Sequence, residues 1–382
     1  MTYKTFGFTP EQVMMRDSVL GTLNRVLPDA KILELEANSE YPAEAFQALA
    51  EAGWLALPFE EKHGGAAASN KDLAVFIEAL GYHHAGITSA YMTTVIYGGL
   101  HLQFHGANWM KQELLPKLIA GKLRMAVGYS EPSGGSDAAA ILTRAKRDGD
   151  DYVISGQKVF ITNAHVADYL VITVKTDPEA GHKGLSLFLL DTKLPGVTIR
   201  NLNPMGRRTS LPNEVFLDEV RVPASHLIGE ENRGWPLLMR GLNMERMLLA
   251  AASAGQCMKI IEIAKDWATQ RVAFGQTITQ FQSIAHKFAD MQMMTESCRL
   301  HTYSVAEMLD AGEDPVMETS IAKTLATEHN MTVADMGVQI MGGAGYMDGR
   351  MSQLYRDARV GPIGGGSSEI MRTVIAKRMG VI

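Results

Sequence analysis

The chain has 382 residues, 46% of them hydrophobic, with a formal net charge of −6 and a pI of about 6.0. This length suits two or three domains, and the mild acidity leaves no electrostatic footprint for nucleic acid and no basic run for an anionic membrane. Two cysteines, Cys257 and Cys298, fit no metal spacing and read as structural thiols of a reducing compartment. The opening "MTYKTFGFTP" has neither an apolar signal core nor an arginine-rich transit pattern. No apolar run approaches membrane-spanning length on this reading, so a soluble cytoplasmic protein is expected, with a processed mitochondrial matrix form as the alternative.

In chain order, the first third is helical. "PEQVMMRDSVLGTLNRVL" and "PAEAFQALAEAGW" carry apolar residues at three- and four-residue spacing behind starting prolines, and "NKDLAVFIEALGYHHAG" and "ITSAYMTTVIYGGLHLQFHG" continue the pattern. Near Gly121 the texture changes to short β-branched and aromatic runs between Gly, Pro, Asn and Asp. These are "DYVISGQKVFITNA", "ADYLVITVKT", "GLSLFLLDT", "VTIRNL" and "NEVFLDEVRV". From Trp235 the sequence predicts helices over 236–270, 280–311, 315–341 and 367–380, a candidate four-helix bundle. The expected fold is mainly α with a central β domain: helices over 1–121, a β-barrel-like domain over 122–232 and helices over 233–382.

Several chemistries are disfavoured. No G-x-G-x-x-G opens a helix after a strand and no G-x-x-x-x-G-K-[ST] occurs, which argues against Rossmann and P-loop nucleotide sites. His101 and His105 stand four apart, but the glutamate of H-E-x-x-H is missing, so ordinary partly buried histidines are the better reading and no metal is expected. The 23 methionines read as core filling.

One carboxylate stands out. In "WPLLMRGLNMERMLLAAASAGQCM", Leu238, Leu242, Glu245, Leu249 and Ala252 form a single stripe in which only Glu245 is polar. Three and four residues away lie Gly241, Leu242, Leu248 and Leu249, so the usual within-helix ion pair is unavailable. Desolvation should raise this carboxyl's pKa toward what a proton-abstracting base needs near neutral pH. A salt bridge to an arginine of a neighbouring helix is the alternative, and the residues alone leave the two open.

Five segments resemble the acyl-CoA dehydrogenase family: "YSEPSGGSDAAA" (129–140), "QKVFITNA" (157–164), "ATQRVAFGQTITQFQSIAHKFADM" (268–291), "VQIMGGAGYM" (338–347) and "YRDARVGPIGGGSSEIMR" (355–372). Their order, and the helical–β–helical succession, is similar to that family's three-domain architecture. The resemblance implies FAD between the β domain and the C-terminal helices. It assigns Tyr129, Ser130, Gly135 and Ser136 to the flavin and its phosphates, with Ser136 also near substrate, and Phe160 and Thr162 to stacking on and hydrogen-bonding the ring. Phe160 stands where many relatives have tryptophan. Arg271, Phe274, Gln282, Gln339 and Gly343 match residues given to the neighbouring subunit's FAD, which implies a homodimer, usually doubled to a homotetramer. Ser367 and Glu369 are likewise assigned to the cofactor.

The resemblance also addresses the base. Many members carry the catalytic glutamate where this chain has Gly365. The isovaleryl and long-chain branches place it in a motif similar to "LNMERMLLA", and Glu245 matches that base. Asn243, Arg246, Gly364, Gly365 and Gly366 are then expected at the substrate, the backbone N–H of Gly365 serving the thioester carbonyl as an oxyanion donor. The implied activity is dehydrogenation of a branched or long-chain acyl-CoA to the trans-2-enoyl-CoA, with electron transfer flavoprotein as acceptor. Segment 85–100 has no charged residue, which argues against a dicarboxyl-CoA. The rivals are an oxidase or enoyl-CoA-type reductase of the same fold and, further off, a non-enzymatic scaffold.

Overall fold

The computed structural model describes residues 7–137 and 140–382, so Ala138 and Ala139 of the first matched segment and the first six residues of the opening stretch lie outside it. The N-terminal part contains α1 (Pro10–Val26), α2 (Asp29–Asn38), α3 (Ala43–Glu51), α4 (Asn70–His83), α5 (Ala85–Tyr91), α6 (Leu100–His105), α7 (Asn108–Glu113) and α8 (Leu115–Ile119). Thr9 caps α1 ahead of Pro10, and Ser69 caps α4 with Asp72 returning the bond, so both starts carry the capping chemistry their sequences advertise.

Between α5 and α6 the chain is π-helical over Met92–Gly99. Widened turns of this kind recur at functional sites. Gly98 and Gly99 allow the close approach it needs: a Cβ on Gly98 would lie 2.4 Å from the Met125 Cβ, and one on Gly99 would lie 2.6 Å from the Phe59 ring.

The middle part is a sheet of β1 (Met125–Gly128), β2 (Arg144–Asp148), β3 (Asp151–Lys158), β4 (Tyr169–Lys175), β5 (Leu185–Asp191), β6 (Val197–Asn201), β7 (Asn213–Pro223) and β8 (Leu227–Ile228). The order is β6-β7-β3-β2-β4-β5-β8, with β1 parallel to β4. Only Arg144↔Lys175 joins β2 to β4, so the sheet comprises two halves hinged at one pair. Both halves feed one core: Tyr152, Ile154 and Val220 from one, Ile172, Phe188 and Leu190 from the other. The rings of Tyr152 and Phe188 meet at 4.8 Å.

The C-terminal part holds α9 (Gly234–Arg240), α10 (Leu242–Gln270), α11 (Gln282–Asp310), α12 (Val316–Met341), α13 (Gly343–Tyr346), α14 (Arg350–Ala358) and α15 (Ser368–Arg378). The single helix expected over 236–270 is broken at Gly241, and that break places Glu245 in the first turn of α10. By length and composition 234–270 could span a bilayer, contrary to the expectation that no run comes close. Most of that stretch is buried, however, and α10 packs on α4, α11 and α12, as the central helix of a large core does.

Candidate active site

The three parts meet at a cavity of about 780 Å³. Its walls come from the π-helical segment, α6, the end of β1, the loop after it, the segment following β3, α9, the start of α10, the glycine loop before α15, and α15 itself. Tyr129, Ser130, Gly135, Ser136, Phe160, Thr162, Glu245, Arg246, Gly365 and Gly366 all line it. Sequence segments more than 200 residues apart thus converge on one chamber.

Glu245 lies in the first turn of α10, where the helix dipole favours a carboxylate, and its N–H donates to the Gly241 carbonyl at 3.0 Å. Burial pushes its carboxyl above the ordinary range. The Arg246 guanidinium, the Tyr97 hydroxyl and the Lys323 ammonium pull it back in part. Arg246 does not clamp Glu245: its Nε donates to the Gly365 carbonyl at 3.4 Å. The structure therefore favours a desolvated base over a clamped ion pair.

Opposite Glu245 runs the glycine loop. Gly365 (φ +65°) and Gly366 (φ +91°) take left-handed backbone. A Cβ on Gly365 would sit 2.4 Å from Leu249 Cδ1 and 3.6 Å from Glu245 Oε1. Gly365 thus presents backbone toward the carboxylate, and a side chain there would need Leu249 to shift.

The residues on the far wall fit a flat, phosphate-bearing cofactor. Phe160, just past β3, lines the cavity at 68% exposure and holds φ +59°, a strained conformation for a bulky residue. Thr162 lies two residues on, and Gly135 and Ser136 edge the cavity from a loop with open space at the glycine. That loop is tied down by Glu131, which accepts N–H bonds from Leu142 (2.6 Å) and Thr143 (3.1 Å) and the Lys158 ammonium at 2.7 Å. Lys158 and Glu131 are both buried. Phe160 and Thr162 would hold the ring, and Ser130, Gly135 and Ser136 the anionic part.

Other assigned residues stand elsewhere. Asn243 donates to Asp314 at 2.7 Å, and Gly364 has only Val360 O, at 3.8 Å, near its missing Cβ; neither lines the cavity. Ser367 spends its hydroxyl capping α15 by accepting from Ile370 N–H, and Glu369 is an exposed first-turn residue of that helix. Arg271, Phe274 (96% exposed), Gln282, Gln339 and Gly343 are all exposed. They gather at one end of the bundle, because α10, α11 and α12 run up, down and up.

The lining also includes residues that the sequence did not mark as site residues. Thr93, Tyr97, His101 and His105 all face the cavity. Their four-residue spacing was visible in the sequence and puts them on one helix face, without saying what that face lines. His101 Nε2 and the Tyr129 hydroxyl are hydrogen-bonded at 2.7 Å, and burial pulls the imidazole down to about 4, so it is neutral near pH 7. Among the described residues no cluster of three or more metal-ligating side chains occurs. Both cysteines are free and buried.

Comparison with known proteins gives the same picture. The N-terminal, middle and C-terminal domain families of acyl-CoA dehydrogenases match residues 9–122, 126–220 and 232–380. Cyclohex-1-ene-1-carbonyl-CoA dehydrogenase of Geobacter metallireducens is 35% identical over 97% of this chain and 98% of its own. The mitochondrial long-chain specific acyl-CoA dehydrogenase of Rattus norvegicus is 32% identical over 97% and 87%. The crystal structure of an acyl-CoA dehydrogenase from Geobacillus kaustophilus superposes with a TM-score of 0.94 at 32% identity, covering 98% of this chain and all of that one. With three domain families matched in order and the carboxylate, glycine loop and cofactor wall in one cavity, the chain belongs to the acyl-CoA dehydrogenase family, FAD-dependent oxidoreductases acting on the CH–CH bond of acyl-CoA.

Proposed function

We propose that this enzyme dehydrogenates a branched or long-chain acyl-CoA to the trans-2-enoyl-CoA, with Glu245 as the base, and passes its electrons to electron transfer flavoprotein. The observation that carries the reading is the Glu245 carboxylate facing the Gly365 backbone across the cavity. A thioester between them would meet the base at its α-proton and the loop amide at its carbonyl, where enolate charge develops. FAD, when bound, supplies the acceptor for the β-hydride. Glu245 takes the α-proton, its raised pKa giving that transfer driving force, while Arg246 stays turned toward the loop.

Gly364 lies outside the cavity lining and a Cβ on Gly365 would meet Leu249 Cδ1 at 2.4 Å, so support for a branch comes from the relatives rather than from space at the glycine pair. The named substrate of the Geobacter metallireducens relative, a ring carrying the carbonyl, is itself branched at the α-carbon, whereas the rat relative's name points to chain length. Gly364→Tyr tests whether position 364, just outside the lining, bears on the acyl chain. The space at its Cβ is open and its φ is ordinary, so the fold should tolerate the ring and any effect falls on substrate. The expected result is a larger loss of kcat/KM for branched than for straight acyl-CoA; equal losses would show that position 364 does not bear on the branch.

The exposed group at the end of the bundle supports a homodimer, paired into a homotetramer, in which Arg271 reaches the partner's cofactor. Arg271→Glu should lower FAD retention through charge reversal at a phosphate contact. A monomer of full FAD occupancy would contradict the assignment. The two buried free thiols are in keeping with a cytoplasmic setting. Rapid peroxide formation by substrate-reduced enzyme in air would point to an oxidase instead of a dehydrogenase.

A further inference from the structure

Lys323 lies on α12, 0% exposed, and no carboxylate among the described residues forms an ion pair with it. Its ammonium donates to two backbone carbonyls, Gly361 O at 2.9 Å and Gly366 O at 2.6 Å. These carbonyls stand at the two ends of "GPIGGG", the loop that presents Gly365 to Glu245. Between them, Gly365 O accepts from Arg246 Nε. Two cations, one on α10 and one on α12, therefore hold a left-handed glycine backbone that has no side chains of its own with which to hold itself.

Burying an ammonium against carbonyls alone is costly, and a lysine serving only as filler would be replaced by methionine without loss. We propose that Lys323 is a positioning residue of the active site: it clamps the loop 361–366 so that the Gly365 backbone stands opposite Glu245, and it adds a buried positive charge beside the base. This rests on Glu245 being that base. The charge is felt there. Lys323 favours the ionised form of Glu245, together with Arg246 on α10 and the Tyr97 hydroxyl, whereas burial disfavours it. Lys323 itself is pulled down to about 8 by burial and by Arg246, against Glu245, Glu328 and Glu369.

The role is tested on FAD-loaded protein with Lys323→Met, which keeps the stem and removes charge and donors, and Lys323→Arg, which keeps the charge. Anaerobic flavin reduction by a substrate acyl-CoA is followed from acid to neutral pH. In wild type the base is charged more easily because of Lys323, so its loss must move the acid limb of the rate to higher pH, by about 1 unit, and slow reduction at the acid end by about 10-fold. The arginine variant should keep the limb in place even if a displaced loop lowers its plateau rate. A purely structural role would lower the plateau of both variants and shift neither limb. An unshifted limb in the methionine variant, or loss of folded FAD-loaded protein in both variants, overturns the proposal. If wild-type flavin is not reduced by any acyl-CoA, the proposed function itself fails, which is a different result.

Discussion

Glu245→Gln is expected to keep FAD content and acyl-CoA binding while bleaching of the flavin by substrate slows at least ~10²-fold, the scale of general-base loss. The surroundings of Glu245 separate this from a structural effect. No cation is clamped to it: Arg246 bonds the Gly365 carbonyl, and Lys323 bonds those of Gly361 and Gly366. A glutamine therefore leaves no buried partner stranded, and the denaturation midpoint should change little. Had Glu245 been half of a buried pair, the same change would cost about 3–5 kcal/mol. The pH profile adds a check. Burial raises the Glu245 carboxyl, so the acid limb of wild-type flavin reduction should lie above the ordinary carboxylate range, with the rate rising as pH rises through it. A base restored at position 365 needs more than Gly365→Glu, because the new Cβ would meet Leu249 Cδ1 at 2.4 Å and the backbone is left-handed there, a cost of about 1–2 kcal/mol. Leu249→Ala in the same chain would relieve the contact.

Lys158→Met should be the most destabilising single change near the cofactor wall. It strands the Glu131 carboxylate, which is buried, takes Lys158 at 2.7 Å and ties the N–H groups of Leu142 and Thr143. Breaking a buried pair from one side costs about 3–5 kcal/mol, read by chemical denaturation of the FAD-loaded protein. The loop carrying Gly135 and Ser136 should loosen with it, so FAD dissociates more readily. Adding Glu131→Gln should recover part of the loss, since the double variant leaves no uncompensated charge. A Lys158→Met protein as stable as wild type would show that the pair does not anchor the loop.

The helices and the base were legible in the sequence because each rests on local information. The long C-terminal helices follow from apolar spacing, with Gly312, Gly342 and Gly380 just past three of their ends, and Glu245 stood out as the lone charge of an apolar stripe. Less local features were hidden. β1 and β8 are too short to show alternation, and β2 is "RAKRD", a charged strand whose place between β3 and β4 is set by pairing alone. The widened turn at Met92–Gly99 is not announced by its sequence, although it carries Thr93 and Tyr97 at the cavity. Lys323 had no visible partner, because it bonds backbone carbonyls 38 and 43 residues away. His101 and His105 illustrate the reverse case. Their spacing marked a helix face, but nothing in the sequence says which face lines a chamber.

If this cavity oxidises an acyl thioester with bound FAD as acceptor, the flavin itself reports the reaction. Anaerobic titration of the FAD-loaded protein with a panel of straight, branched and cyclic acyl-CoA thioesters tests it most directly. Stoichiometric bleaching of the flavin by at least one saturated member, formation of the matching trans-2-enoyl-CoA, and faster bleaching by branched or long chains than by short straight ones are expected. A flavin that no saturated acyl-CoA bleaches, yet that enoyl-CoA reoxidises after chemical reduction, would contradict the proposed oxidation and mark the protein as a reductase.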